Sequence, residues 1–207
     1  MIPLENGALA GDLHLPKWST GIVLFAHGSG SSRTSPRNQL VAQTLNRAGL
    51  ATLLFDLLTQ KEESIDFITA EYRFDIELLK NRLIEVTDWI SENQETKELN
   101  IGYFGASTGA AAALLAAAEY PEAVKAIVSR GGRPDLAERS LMHVQAPTLL
   151  IVGGQDDLVI ELNELAFEEL LCIKKLLIIP GATHLFEEPG KLEEVAKEAT
   201  QWFQNYL

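Results

Sequence analysis

Two patterns of apolar and polar positions alternate along this chain. Short apolar runs rich in β-branched residues are separated by segments in which apolar residues recur every three or four positions. The later runs contain almost no polar residue, which is typical of parallel strands covered on both faces. Strands are therefore predicted over residues 8–14, 22–26, 51–55, 100–104, 124–129, 148–152 and 176–179.

The segments between these runs carry the signals of helix ends. In the first, Ser35 is a candidate N-cap, Pro36 suits the first helical position, and Gly49 follows the last apolar position. Further helices are predicted over about residues 73–93 and 190–206. This alternation predicts a doubly wound α/β fold, with a mostly parallel sheet, helices on both faces and right-handed crossovers.

One connection is longer than strand-to-helix joins usually are. Residues 57–72 are polar and acidic, with Ile65, Phe67 and Ile68 as apolar exceptions. The segment is interpreted either as a surface excursion or as a short flap over a site. Because the chain contains no repeat, low-complexity tract or linker, residues 1–207 are expected to form one domain without a large cap.

Composition and charge narrow the class of protein and argue against one class of partner. The 207 residues are 46% apolar and 22% charged, as in ordinary globular proteins. There are 29 acidic and 17 basic side chains, a net charge of −12. Since nucleic-acid binding depends on lysine and arginine neutralising phosphates, this excess of acid argues against a nucleic-acid partner.

No membrane or secretory signal is predicted. The longest run of small or apolar residues, 109–118, is well short of the roughly 20 needed to cross a bilayer. The N-terminus has no basic start followed by an apolar stretch, and the single cysteine, Cys172, excludes an intrachain disulfide. A cytoplasmic protein with no membrane partner is therefore expected.

The strongest chemical motif follows the predicted strand 100–104. Gly105-Ala106-Ser107-Thr108-Gly109 has the pattern G-x-S-x-G and precedes an alanine-rich helical segment. Small residues are needed there because a sharp, strained turn must expose the serine hydroxyl while strand and helix approach closely. Ser107 is therefore the candidate nucleophile.

A serine nucleophile needs a base, and the chain offers four histidines. His14 lies within a strand, and His143 precedes one and so falls at the opposite end of the sheet. His27 ends a strand but comes before Ser107. His184 follows the last strand through a glycine-containing loop, and the order nucleophile, acid, histidine selects it as the base.

The acid that orients this histidine is expected after the strand 148–152. Asp156 and Asp157 are adjacent there, and one of them is expected to cap the following helix instead. Asp56, at the end of the strand 51–55, is a third and weaker candidate because it precedes Ser107. The residues alone leave the choice open.

The oxyanion hole should combine two backbone N–H groups. Thr108, directly after the nucleophile, supplies one, and Ser29, in the loop after the strand 22–26, supplies the other. Arg33 and Arg130 are candidate substrate-binding residues, since a guanidinium suits a substrate carboxylate, although ion pairing within the protein is the default. No cluster has metal-ligand spacing, so no metal and no cofactor are predicted.

Together, the His27-Gly28 loop, the Ser107 turn, the Asp156 loop and the His184 loop resemble the α/β-hydrolase superfamily. Within it, the chain is most similar to the small dienelactone-hydrolase-like branch, from about residue 8 to the end. The family pattern favours Asp156 as the acid, because a valine such as Val159 usually follows it three residues later.

This resemblance implies a hydrolase that forms an acyl-enzyme on Ser107 and cleaves small carboxylic esters, thioesters or lactones. The nucleophile here is serine, whereas dienelactone hydrolase itself uses cysteine. A non-hydrolytic binding protein of the same fold and an acyltransferase are the alternatives. The chain is expected to be a monomer or a homodimer.

Overall fold

Strands and helices alternate through most of the chain in a computed structural model that describes residues 1–207. The strands are β1 Ile2–Leu4, β2 Gly7–Leu9, β3 Gly11–His14, β4 Gly21–Ala26, β5 Ala51–Phe55, β6 Asn100–Ala106, β7 Val124–Arg130, β8 Thr148–Gly153 and β9 Lys174–Ile179. The helices are α1 Pro36–Arg47, α2 Gln60–Thr69, α3 Ile76–Glu92, α4 Thr108–Glu119, α5 Asp157–Glu169 and α6 Lys191–Tyr206, and a 3₁₀ segment covers Pro134–His143.

Seven strands form the central sheet, in the order β3-β5-β4-β6-β7-β8-β9. Strand β3 pairs antiparallel with β5, and all other neighbours are parallel. The predicted doubly wound, mostly parallel α/β fold is confirmed. After β4 the chain adds β5 on one side and then crosses to add β6 on the other, so the carboxyl ends of β4 and β6 flank a topological switch point, where open α/β sheets bind ligands.

The sheet separates two apolar layers, which explains the nearly continuous apolar runs. In β4, Ile22 and Leu24 belong to the core on one face, while Val23 and Phe25 belong to the core on the other. Helices α3, α4 and α5 cover the first face, and α1 and α6 cover the second. Successive residues of a strand point to opposite faces, so both must be apolar when both faces are covered.

The structure differs from the expected elements at two places. The predicted strand 8–14 is divided, because β2 pairs with β1 in a separate hairpin and only β3 joins the sheet. The long connection 57–72, for which no helix is predicted, contains α2. None of the helices combines the length and the apolar composition that crossing a membrane requires.

A capping box starts α2. The Thr59 hydroxyl accepts a hydrogen bond from the backbone N–H of Glu62, whose carboxylate accepts one from the N–H of Thr59. Glu62 also forms an ion pair with Arg82 of α3, with a distance of 2.8 Å between nitrogen and oxygen. These contacts fasten the start of α2 to the body of the protein.

Candidate active site

Ser107 occupies a strained turn between β6 and α4. Its backbone angles are φ 50° and ψ −120°, a region that residues other than glycine rarely adopt. Although Ser107 is at the N-cap position of α4, its side chain makes no capping hydrogen bond. The strained backbone thus presents a hydroxyl that the helix does not use, as a nucleophile requires.

The two glycines of the motif are needed for the close approach of backbones around Ser107. A Cβ atom on Gly109 would lie 2.1 Å from the carbonyl oxygen of Ala26, and one on Gly105 would lie 2.4 Å from the Cα of Ala110. Neither position tolerates a side chain without movement of the backbone. The G-x-S-x-G spacing therefore has a local structural cause.

Residues 130–133, which follow β7, hold the backbone of Ser107 on both sides. The N–H of Ser107 donates to the carbonyl oxygen of Arg130 at 3.3 Å, and the N–H of Arg133 donates to the carbonyl oxygen of Ser107 at 3.1 Å. The buried amide of Asn163, in α5, donates to the carbonyl oxygen of Gly132 at 3.0 Å. The helix after Asp156 thus helps to fix the segment that holds Ser107.

His184 and Asp156 are brought together by the loops that follow β9 and β8. The distance between His184 Nδ1 and Asp156 Oδ2 is 2.6 Å. Asp156 is the N-cap of α5, yet its side chain does not cap the helix, whereas Asp157 is exposed in the first turn. One aspartate of the pair therefore faces the histidine, as expected, and it is Asp156. The expected cap by the other is not formed, because Asp157 already lies in the first turn of α5 and no side chain caps this helix.

The hydrogen bond to Asp156 leaves His184 Nε2 as the acceptor, because a carboxylate can only accept and so Nδ1 must carry the proton. A Cβ atom on Gly131, at φ 51°, would lie 3.4 Å from His184 Cε1. The segment 130–133 therefore touches both His184 and Ser107. His184 makes no side-chain hydrogen bond except that with Asp156, so none joins it to Ser107 in this structure.

The predicted oxyanion residues lie side by side, but one donor is engaged. The N–H of Ser29 donates to the Oγ1 atom of Thr108 at 3.0 Å. Thr108 is the first residue of α4, so its own N–H has no acceptor within the helix. The loop packs tightly on the turn, since a Cβ atom on Gly28 would lie 3.0 Å from the Cβ of Ser107.

Arg33 and Asp56 bind each other. The N–H of Arg33 donates to Asp56 Oδ1 at 2.8 Å, its guanidinium pairs with Asp56 Oδ2, and its Nε lies 3.3 Å from the carboxylate of Asp12. Hydrogen bonding to Asp56 raises the pKa of Arg33. The structure thus places Arg33 in internal ion pairs rather than free for a substrate, and it places Asp56 with Arg33 rather than with His184.

His27 ties the loop after β4 to the loop after β5. Its Nδ1 lies 3.0 Å from the carbonyl oxygen of Gly28, and the N–H of Leu57 donates to its Nε2 at 3.1 Å. A carbonyl only accepts and an N–H only donates, so this ring is neutral with the proton on Nδ1. Burial lowers the pKa of His27 below its usual value.

This lowered pKa predicts a dependence of stability on pH. Below about pH 6.5 the unfolded chain binds a proton at His27 that the folded protein does not, so the free energy of unfolding should fall as pH drops toward the lowered pKa, by up to about 1.4 kcal/mol per pH unit. Denaturant unfolding between pH 7.5 and 5.5 should show a shallower fall in His27→Gln. His14→Gln, at an exposed strand position, should behave as the native protein; identical slopes in all three proteins would contradict the assignment.

Arg130 is buried without a counter-ion. Burial, and secondarily the charge of Arg37, lower the pKa of its guanidinium to about 10, so it stays charged at neutral pH. Its Nε and Nη1 atoms have no hydrogen-bond partner, and its guanidinium carbon lies 6.0 Å from the centre of the Phe186 ring. Phe186 is two residues after His184, so this unpaired charge lies beside the histidine loop.

A pocket of about 580 Å³ begins at the loop after β4 and extends to α2. Hydroxyl groups of the loop line one wall, and Ser29 is among them. The other wall includes Asp66 and Phe67 of α2 and Arg73, which is paired with Asp66. The connection 57–72 thus borders a cavity next to the loop that carries Ser29, and the lining of this cavity does not include Ser107, Asp156 or His184.

Similarities to known proteins agree with this architecture. The model of the dienelactone hydrolase family matches residues 9–207. The crystal structure of dienelactone hydrolase from Anabaena variabilis ATCC 29413 is 61% identical with a TM-score of 0.98, covering 100% of this chain and 95% of that chain. Est1E from Butyrivibrio proteoclasticus, at 19% identity and a TM-score of 0.82 over 99% of this chain and 96% of that one, shares the fold.

A curated relative carries a different name. The protein "Putative phosphoribosyl transferase Rv0571c" of Mycobacterium tuberculosis (strain ATCC 25618 / H37Rv) is 58% identical over 199 residues, which are 96% of this chain and 44% of that protein. The chain therefore spans less than half the length of this relative. The family match and the solved structures support a hydrolase, and the chain belongs to the dienelactone hydrolase family.

Proposed function

We propose that this protein is a serine hydrolase that cleaves carboxylic esters, thioesters or lactones of small molecules through an acyl-enzyme on Ser107. The observation that carries the proposal is the 2.6 Å pairing of His184 with Asp156 beside a strained turn with a free serine hydroxyl. Side chains so placed can activate a serine, which is a weak nucleophile by itself.

The proposed reaction begins with attack of Ser107 Oγ on the substrate carbonyl carbon. The hydroxyl proton moves to His184 Nε2, and the carbonyl electron pair moves to the oxygen. Asp156 keeps the Nδ1 proton in place and stabilises the imidazolium. When the tetrahedral intermediate collapses, the leaving alcohol or thiol takes the proton from His184, and water then releases the acyl group by the same steps.

The pocket beside the loop that carries Ser29 has a size that suits the distal part of a small substrate, and Ser107 and His184 lie outside its lining. Its volume of about 580 Å³ lies within the range of small-molecule sites. Loop hydroxyls and Phe67 offer both hydrogen-bonding and apolar contact to the part of a substrate beyond the reacting carbonyl. The Mycobacterium tuberculosis relative named a putative phosphoribosyl transferase is a longer protein, of which this chain matches 44%. We therefore do not assign the activity in that name to this chain.

Kinetics with a panel of activated esters, thioesters and lactones test this function. A short-chain activated ester should give a burst of leaving group equivalent to one active site, followed by steady turnover. Product analysis should find the free acid, which distinguishes hydrolysis from acyl transfer to another acceptor. A panel without turnover of any member would favour a binding protein of the same fold.

We further propose that Arg130 receives a carboxylate of the substrate, because it is charged, unpaired and close to the His184 loop. The Arg130→Ala variant should raise KM for esters that carry a carboxylate by about tenfold more than for neutral esters of equal size. General damage to the fold would affect both substrates alike. Arg139→Ala, at an exposed position, is the matched control, and equal effects of Arg130→Ala on both esters would dismiss the role.

A further inference from the structure

The side chain of Thr108 occupies an unusual position between the two groups expected to stabilise the oxyanion. Its Oγ1 atom accepts the N–H of Ser29 at 3.0 Å. Only three covalent bonds separate Oγ1 from the backbone nitrogen of Thr108, so the two atoms lie about 3–3.7 Å apart. A hydroxyl group therefore sits beside both backbone donors.

The backbone around this hydroxyl is tightly packed, so the hydroxyl has little room to move away from the two donors. A Cβ atom on Gly109 would lie 2.5 Å from the carbonyl oxygen of His27, and one on Gly28 would lie 3.1 Å from that of Ala106. The loop and the turn are thus in direct backbone contact. Thr108 is itself only 5% exposed, so its hydroxyl is well shielded from water.

The hydrogen of this hydroxyl is available. Because Oγ1 accepts the N–H of Ser29, its own O–H must find a separate acceptor, and no oxygen of the protein accepts from it. A hydroxyl that already accepts a hydrogen bond is polarised into a better donor. In a shielded site next to the reacting carbonyl, such a donor stabilises developing negative charge strongly.

We propose that the Thr108 hydroxyl is a catalytic donor to the oxyanion, polarised by the N–H of Ser29. When Ser107 attacks and the carbonyl electron pair moves to oxygen, the Thr108 O–H donates a hydrogen bond to that oxygen alongside the Thr108 N–H. The hydroxyl keeps its proton throughout, and the proton of Ser107 still passes to His184. Ser29 then acts through Thr108 rather than by direct contact, which explains why its N–H is engaged.

This proposal rests on the proposed function and adds a group to it. Thr108→Val preserves the shape of the side chain and removes the hydroxyl, so kcat should fall by about 10²-fold, as when one oxyanion donor is lost. KM should stay near the native value, because ground-state binding changes little, whereas the thermal midpoint should fall modestly, because the N–H of Ser29 loses its acceptor. Thr108→Ser keeps the hydroxyl and should retain most of kcat.

A second pair of variants tests the same role if the valine variant does not fold. Thr108→Ala and Thr108→Ser differ from each other by the hydroxyl alone, so Ala should fall about 10²-fold below Ser in kcat. Equal kcat in this pair, or a kcat of Thr108→Val equal to or above the native value, would overturn the donor role. Absence of a burst in the native protein would instead contradict the proposed function itself, so the two failures are distinct.

Discussion

In the Ser107→Ala variant we expect kcat for a short-chain activated ester to fall by about 10⁴- to 10⁶-fold and the burst to disappear. Alanine removes the oxygen that attacks the carbonyl and leaves the rest of the turn unchanged. The strained backbone at φ 50° and ψ −120° is held by the segment 130–133, so the variant should fold. Stopped-flow measurement of the leaving group, together with a thermal midpoint, checks both expectations.

The matched control for this variant is Ser91→Ala. Ser91 is an exposed serine near the end of α3, and its hydroxyl donates to the carbonyl oxygen of Thr87. Its replacement should leave both burst and steady turnover as in the native protein. Turnover of Ser107→Ala within tenfold of the native rate would remove Ser107 from the proposed role.

The second large effect is expected at Asp156. In Asp156→Asn the amide can donate to His184 Nδ1, which favours the tautomer with the proton on Nε2 and leaves no acceptor for the serine proton. A change of this kind typically lowers kcat by about 10⁴-fold. Asp157→Asn should leave kcat near the native value, because Asp157 is exposed and makes no contact with His184.

Comparison of the two asparagine variants also settles which acid acts. Both changes remove one negative charge from adjacent positions, so their general electrostatic effects are similar. A larger loss in Asp157→Asn than in Asp156→Asn would transfer the orienting role to Asp157. Equal and small losses would show that His184 needs no carboxylate partner.

Much of the fold could be predicted from the sequence because the sheet is covered on both faces. That arrangement forces uninterrupted apolar runs such as β8, whose six residues are all buried. Helix α1 was equally predictable, because Pro36 marks its start and Gly49 follows its end. The division of the first strand was not predictable, because β1, the strand that pairs with β2, has only three residues.

Helix α2 was missed for a physical reason. Its apolar residues Phe67 and Ile68 are 86% and 83% exposed, so their spacing does not mark a buried face. The only polar residue that the helix buries is Asp66, which accepts hydrogen bonds from the N–H groups of Tyr72 and Arg73. The sequence signal for this helix is the capping box of Thr59 and Glu62, because a capping box does not require that one face of the helix be buried.

The sequence predicts which loops carry the candidate site but not the contacts between them. The strand-to-helix motif and the chain order point to Ser107 and His184 as neighbours at one end of the sheet. Adjacent residues such as Asp156 and Asp157 point in different directions, and which one faces the histidine depends on loop geometry. The contact of Ser29 with Thr108 joins positions 79 residues apart and has no signature in the sequence.

Covalent labelling with a fluorophosphonate tests the central claim most directly, because such a probe reacts only with a serine that a nearby base has activated. We predict one adduct per chain, located by peptide mass spectrometry on Ser107, slowed by an ester substrate and absent in Ser107→Ala. No adduct in the native protein, or an adduct on another residue with Ser107 unmodified, would contradict the account.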